Sequence, residues 1–233
     1  METIRIDTPA GTPLDVMIAR PAGAGPWPGV VVLHDALGVS EDLRRQVEIV
    51  TGAGFMVIAP NLFTRGRVRC IRQAFRAVAF TGTGPAVAEI LAARDHLAAD
   101  PDCTGRIGVL GFCLGGGFAL LTAPRGFDAA APFYGSLFGD YQTLLDGACP
   151  VVASYGGRDP ALSSAPEKLT AALTAAGVDH DIKTYPDVTH GFANVMPGDR
   201  VLQRIGLGHD AAATEDAWQR IFAFFDRYLR GGD

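Results

Sequence analysis

The stretch Arg106-Ile-Gly-Val-Leu-Gly111-Phe-Cys113-Leu-Gly115-Gly-Gly117 holds the key to the chain. Ile107 and Val109 are β-branched and suit a buried strand, while the apolar run Leu114 to Ala123 suits a helix. Between them stands a nucleophilic side chain at the centre of G-x-C-x-G. Glycines flank such a strand-to-helix turn because side chains there would collide with neighbouring backbone. The turn usually carries serine; here the reactive atom is sulfur. The start of the helix favours negative charge on a thiolate, and the Leu114 N–H, lacking an intrahelical acceptor, can donate to an oxyanion. Cys70, Cys103 and Cys149 lack a glycine-flanked turn and read as small buried apolar residues. The uncharged run Ile107 to Pro124, bracketed by Arg106 and Arg125, has the length of a membrane span, but five glycines crowd its centre and argue for a buried strand and helix instead.

Around this stretch the pattern is that of a mostly parallel sheet with crossover helices, the α/β class. Apolar runs predict strands at Thr3–Asp7, Leu14–Ala19, Gly29–Leu33, Phe55–Ala59, Ile107–Leu110, Ala129–Phe133, Val151–Tyr155 and Asp181–Tyr185. The first two, separated by a Pro- and Gly-containing turn, are expected to form an antiparallel hairpin at one edge. Helical spacing predicts helices at Glu41–Ala53, Val68–Phe80, Pro85–Ala99, Leu114–Ala123, Ala165–Ala176 and Ala211–Leu229. Val195 to His209 reads as a loop.

The 233 residues, 48% hydrophobic and 19% charged, fit one large domain spanning 1–233. A core of that size needs neither metal nor disulfide to hold it. Twenty-five acidic residues against 20 basic ones give a formal charge of −5, which excludes the overall basic surface of a nucleic-acid binder. The start METIRIDTPAG has no apolar stretch of a secretory signal, so a cytoplasmic protein with reduced thiols is expected.

A cysteine nucleophile needs a base and a group to orient that base. Where the nucleophile occupies such a turn, the chain order is nucleophile, acid, histidine. Tyr155-Gly-Gly-Arg-Asp159-Pro160 supplies a carboxylate after one strand, and Tyr185-Pro-Asp-Val-Thr-His190-Gly191 supplies an imidazole after the next. Asp159 before proline also fits a simple turn. Asp187 is a rival acid, but three residues from His190 it could orient the ring only through an unusual bend. His96, His180 and His209 read as surface residues. His34 and Asp35 open Leu33-His-Asp-Ala-Leu-Gly38 after the third strand, where the Ala36 N–H is a candidate second oxyanion donor and Asp35 lies within reach of Cys113 unless it only caps the turn.

Together HDALG, GFCLGG, GGRDP and HGF, in this order, resemble the dienelactone hydrolase (carboxymethylenebutenolidase) family across almost the whole chain. The resemblance implies an α/β-hydrolase fold: a mostly parallel eight-stranded sheet with helices on both faces. It also implies a Cys113, His190, Asp159 triad cleaving small esters or lactones through an acyl-enzyme, without a cofactor or metal, in a monomer. Two positions depart from the family pattern: Asp35 replaces a glutamate, and Asn194 replaces an arginine that holds a substrate carboxylate. A substitute clamp is available in Arg65, Arg69, Arg72 and Arg76, one helical stripe beside Val68, Ile71, Phe75 and Val78, and Asp35, Arg69 and Arg72 are the candidates for substrate binding. A solvated helix face explains the same spacing. Two other classes are open: a non-catalytic relative that binds a small acid, and a redox thiol protein, the latter disfavoured by the absence of C-x-x-C.

Overall fold

The computed structural model describes residues 1–8, 11–64, 66, 82–195 and 208–231. Eight strands, β1 (Glu2–Ile6), β2 (Leu14–Ala19), β3 (Trp27–Leu33), β4 (Met56–Pro60), β5 (Cys103–Phe112), β6 (Ala129–Phe133), β7 (Val151–Gly156) and β8 (His180–Tyr185), form one sheet in the order β1-β2-β4-β3-β5-β6-β7-β8. β1 and β2 pair antiparallel at the edge, β2 joins β4 antiparallel, and every pairing from β4 onward is parallel. The expected edge hairpin and all eight strands are present.

The parallel strands are buried on both faces, which is why they read as continuous apolar runs rather than alternating ones. Along β3, Val31 and Leu33 face one core while Val30 and Val32 face the other. The first core is covered by α2 (Pro85–Ala98), α3 (Leu114–Thr122) and α5 (Ala165–Ala175); the second by α1 (Glu41–Gly52) and α6 (Ala211–Leu229). The short α4 (Tyr141–Leu144) was not expected from the sequence. The stretch Val68–Phe80, with Arg65, Arg69, Arg72 and Arg76, lies outside the described residues, as does most of Val195–His209.

β3, β5 and β6 run side by side through the middle of the sheet and end together. Cys113 follows the carboxyl end of β5, Asp35 that of β3 and Tyr134 that of β6; Asp159 follows β7 and His190 follows β8. A parallel sheet places ligands in the crevice at such an edge.

Candidate active site

Close contact between backbones builds the turn at Cys113. A Cβ on Gly111 would lie 2.1 Å from the Gly115 carbonyl oxygen. One on Gly115 would meet the Leu33 oxygen at 2.5 Å, and one on Gly116 the Phe133 oxygen at 2.6 Å. The helix start is therefore pressed against the ends of both neighbouring strands, and no larger residue fits at these positions. Cys113 itself takes φ 53°, a left-handed conformation that costs a non-glycine residue energy. Its N–H donates to the Phe133 oxygen at 3.1 Å. Gly117 makes the first intrahelical bond, to the Cys113 oxygen at 3.0 Å, so the Leu114 N–H stands at the open start of α3.

A second glycine pair brings the acid to the histidine. Cβ atoms on Gly156 and Gly157 would lie 2.6 Å from the Thr189 oxygen and 2.7 Å from the Pro186 Cα. Without them the loops after β7 and β8 interlock, the Arg158 N–H donating to the Val188 oxygen at 2.9 Å. Asp159 is buried, only 3% exposed. Its Oδ1 accepts from the Ala161 N–H at 3.1 Å and its Oδ2 lies 2.6 Å from His190 Nδ1. Asp187 pairs instead with Arg158 on the surface.

Cys113 lines the same cavity as His190, and its sulfur acts electrostatically on the ring. Burial works against its charge, but hydrogen bonds and electrostatic attraction from Cys113 and Asp159 outweigh this and raise the imidazole to about 9. Acid, ring and sulfur thus form one chain. The other described thiols lack such company: burial pushes Cys103 up and Cys149 up to about 12, which leaves them protonated at neutral pH.

The loop after β3 divides its duties. His34 is 2% exposed, its Nε2 accepting from the Leu62 N–H at 3.1 Å and its Nδ1 lying 2.7 Å from the Asp35 oxygen. An accepting Nε2 requires the proton on Nδ1, and burial lowers the ring's basicity further, so His34 is a neutral brace between this loop and the end of β4. Asp35 Oδ1 accepts from the Leu37 N–H at 2.7 Å, and the Gly38 N–H closes the turn around Ala36 on the Asp35 oxygen at 3.2 Å.

Asn194, noticed in the sequence only as a departure, is buried and turned inward. Its Oδ1 accepts from the Tyr134 hydroxyl, and its Nδ2 donates to Asp42 at 2.8 Å and to Asp35 at 3.4 Å. Asp42 also accepts from the Val195 N–H, Gln46 and Arg45. The segment after His190 is thereby tied to the first turn of α1. Burial, then the negative charge around Cys113, Asp42 and Asp35, pushes the Tyr134 hydroxyl well above its usual range, which keeps it a donor. Periodicity marks Asp42 only as an ordinary first-turn acid, and nothing local announces a partner 152 positions away.

A cavity of about 170 Å³ opens on this chain of groups, lined by Cys113, Leu114, Gly117, Tyr134, Ser136, Phe138, Leu162 and His190. Tyr134, Ser136, Phe138 and Leu162 were not singled out from the sequence; for Tyr134 the available signal was its place just past a strand's carboxyl end. The loop after β6 and the short α4 shape part of the wall: the Tyr141 hydroxyl lies 3.1 Å from Ser136 Oγ and accepts from the Leu137 N–H at 3.0 Å. Arg69 and Arg72 lie outside the described residues.

Residues 14–229 match the model of the dienelactone hydrolase family. A protein of Escherichia coli K12 named "Putative carboxymethylenebutenolidase" is 30% identical over 229 residues, covering 90% of this chain and 81% of its own length. The carboxymethylenebutenolidase of Pseudomonas putida is 24% identical over 220 residues, covering 90% and 93%. Among solved structures, a dienelactone hydrolase-like promiscuous phosphotriesterase from metagenomic libraries superposes with a TM-score of 0.80 at 21% identity, covering 98% of both chains; it shares the fold.

Proposed function

Because the chain belongs to the dienelactone hydrolase family it is a carboxylic ester hydrolase, and we propose that it acts on small esters or lactones by acyl transfer to Cys113. The Cys113 sulfur, as thiolate, attacks the carbonyl carbon and forms an S–C bond while the oxygen takes the negative charge. The Leu114 and Ala36 N–H groups hold that oxyanion. Collapse breaks the C–O bond, and the leaving oxygen takes the proton of the His190 imidazolium. Water then attacks the thioester as His190 accepts its proton, and the acid departs with the thiolate restored. Asp159 keeps the Nδ1 proton in place so that Nε2 faces the reaction. Thiolates suit enol esters and activated esters, whose leaving groups depart readily.

The observation that carries this reading is the Asp159–His190 pair, 2.6 Å between acid and ring, with His190 and Cys113 lining one open cavity and the sulfur acting electrostatically on the ring. It is tested by turnover of an enol-lactone and a 4-nitrophenyl ester. Cys113→Ala is expected to lose at least ~10³-fold in kcat/KM, whereas Cys103→Ala keeps wild-type rates. Equal activity in the two variants overturns the assignment.

A further inference from the structure

Tyr134 spans the turn that carries His190. That turn closes where the Asn194 N–H donates to the Gly191 oxygen at 2.8 Å, and the tyrosine side chain meets it at both ends. Its ring centroid lies 4.9 Å from that of His190, the planes inclined at 57°, and its hydroxyl donates to Asn194 Oδ1. Asn194 Nδ2 in turn donates to Asp42, in the first turn of α1, at 2.8 Å. The phenol ring is 1% exposed and packs against Phe133 and Phe192, whose ring centroids lie 5.9 and 5.5 Å away. Among the described residues, Cys113 at φ 53° and Tyr134 at φ 39° are the two non-glycine residues in the left-handed region. A residue with a side chain persists there only where its surroundings over-determine it, and such residues gather at sites of function.

We propose that Tyr134 is a positioning residue for acyl transfer, keeping the His190 imidazole aimed for deacylation through a ring contact that Asn194 and Asp42 anchor. This deepens the acyl-transfer reading and rests on it. Asp159 after β7 and Cys113 before α3 act on the ring together with Tyr134, while Asp42 and Asp35 bear on the Tyr134 hydroxyl. Once Cys113 carries the acyl group, its sulfur has no negative charge with which to attract the imidazole. Asp159 still holds Nδ1 at 2.6 Å, but one hydrogen bond at one edge does not fix the plane of a ring. The Tyr134 ring supplies a second contact, and an aromatic ring beside a cation also favours the imidazolium. The water that attacks the thioester must give its proton to His190, so this step depends on where Nε2 points. Acylation by a 4-nitrophenyl ester asks less of the ring, because that leaving group departs as an anion.

Two measurements test this, one independent of turnover. In the first, the burst and steady phases of 4-nitrophenyl acetate hydrolysis are resolved by stopped flow, the burst reporting acylation and the steady phase deacylation. Tyr134→Leu is expected to slow the steady phase at least about tenfold while the burst rate stays close to that of the wild type. Tyr134→Phe, which keeps the ring and loses the anchor, is expected to fall between the two. Hydroxylamine, a nucleophile that attacks thioesters without a base, is expected to restore turnover in both variants. In the second measurement, His190 is titrated by NMR of its ring nitrogens, and Tyr134→Leu is expected to bind the proton about fivefold more weakly than the wild type, with Tyr134→Phe again between. Burst and steady phases that fall together, with no recovery in hydroxylamine, leave Tyr134 a purely structural role and overturn the proposal, as do rates unchanged in both variants; acyl transfer then stands. If Tyr134→Leu fails to fold, Tyr134→Phe decides by the same criteria. A wild type that never acetylates Cys113 overturns acyl transfer, and the titration still decides the positioning: a His190 midpoint unchanged in the folded variants overturns it.

Discussion

Gly115 is one of the residues the Cys113 turn depends on, since a methyl group there would press into two carbonyl oxygens, those of Leu33 and His34, at 2.5 and 2.6 Å. Backbone cannot swing aside as a flexible side chain can, so Gly115→Ala is expected to cost about 1–3 kcal/mol or more. In a chain of this size that lowers Tm by roughly 2–4 °C for each kcal/mol, measured by calorimetry; an unchanged Tm contradicts the packing. This much was legible in the sequence, because a glycine-flanked cysteine between a strand and a helix states its own geometry. The same holds for Gly156 and Gly157 before Asp159, whose spacing pointed to a tight loop. The inward face of Asn194 was not legible. Its partners Tyr134, Asp42 and Asp35 are scattered along the chain, and only the folded sheet brings them together.

The helix α1 links local capping to the site. Ser40 caps it, accepting from the Leu43 N–H at 3.1 Å, and two residues on, Asp42 reaches out of the first turn to the segment behind His190. Removing that carboxylate strands the buried Asn194 amide, together with the N–H of the exposed Val195 and the Arg45 guanidinium, which water partly compensates. Asp42→Ala is expected to destabilise the fold by about 3 kcal/mol, seen as a lower urea midpoint with an unchanged slope; a loss within the ordinary surface range of about 0.5 kcal/mol contradicts the role. Strand runs and helical periods located these elements, but their ends moved with tertiary context. β5 starts at Cys103 rather than Ile107 because the exposed Thr104, Gly105 and Arg106 continue the strand beyond the apolar core. β3 likewise begins at Trp27, where its register against β5 shifts. The four-residue α4 is too short to show a period, yet its Tyr141 fixes the loop that walls the cavity.

At the scale of the molecule, the sheet gathers five loops at one edge, and the resulting chain of acid, ring and sulfur makes stability depend on pH. Folded His190 holds its proton up to about 9, against 6.5 for an ordinary imidazole. Between those values the folded state binds more protons than the unfolded one, so the contribution is complete below about 6.5 and is lost as pH rises through about 9. The wild-type Tm is therefore expected to fall more steeply than that of His190→Gln between neutral and alkaline pH, and parallel curves contradict the coupling. The α/β class and strand list followed from the apolar runs, whereas the proton sharing depends on two interlocked loops that no local pattern reports. The most direct measurement is a rapid quench of the wild-type enzyme during turnover of 4-nitrophenyl acetate, followed by proteolysis and mass mapping. One acetyl group on the Cys113 peptide, absent from Cys103 and Cys149 and formed as fast as the first turnover, is the expected result; steady hydrolysis with Cys113 never acetylated, or with the acetyl group on another residue, contradicts the mechanism.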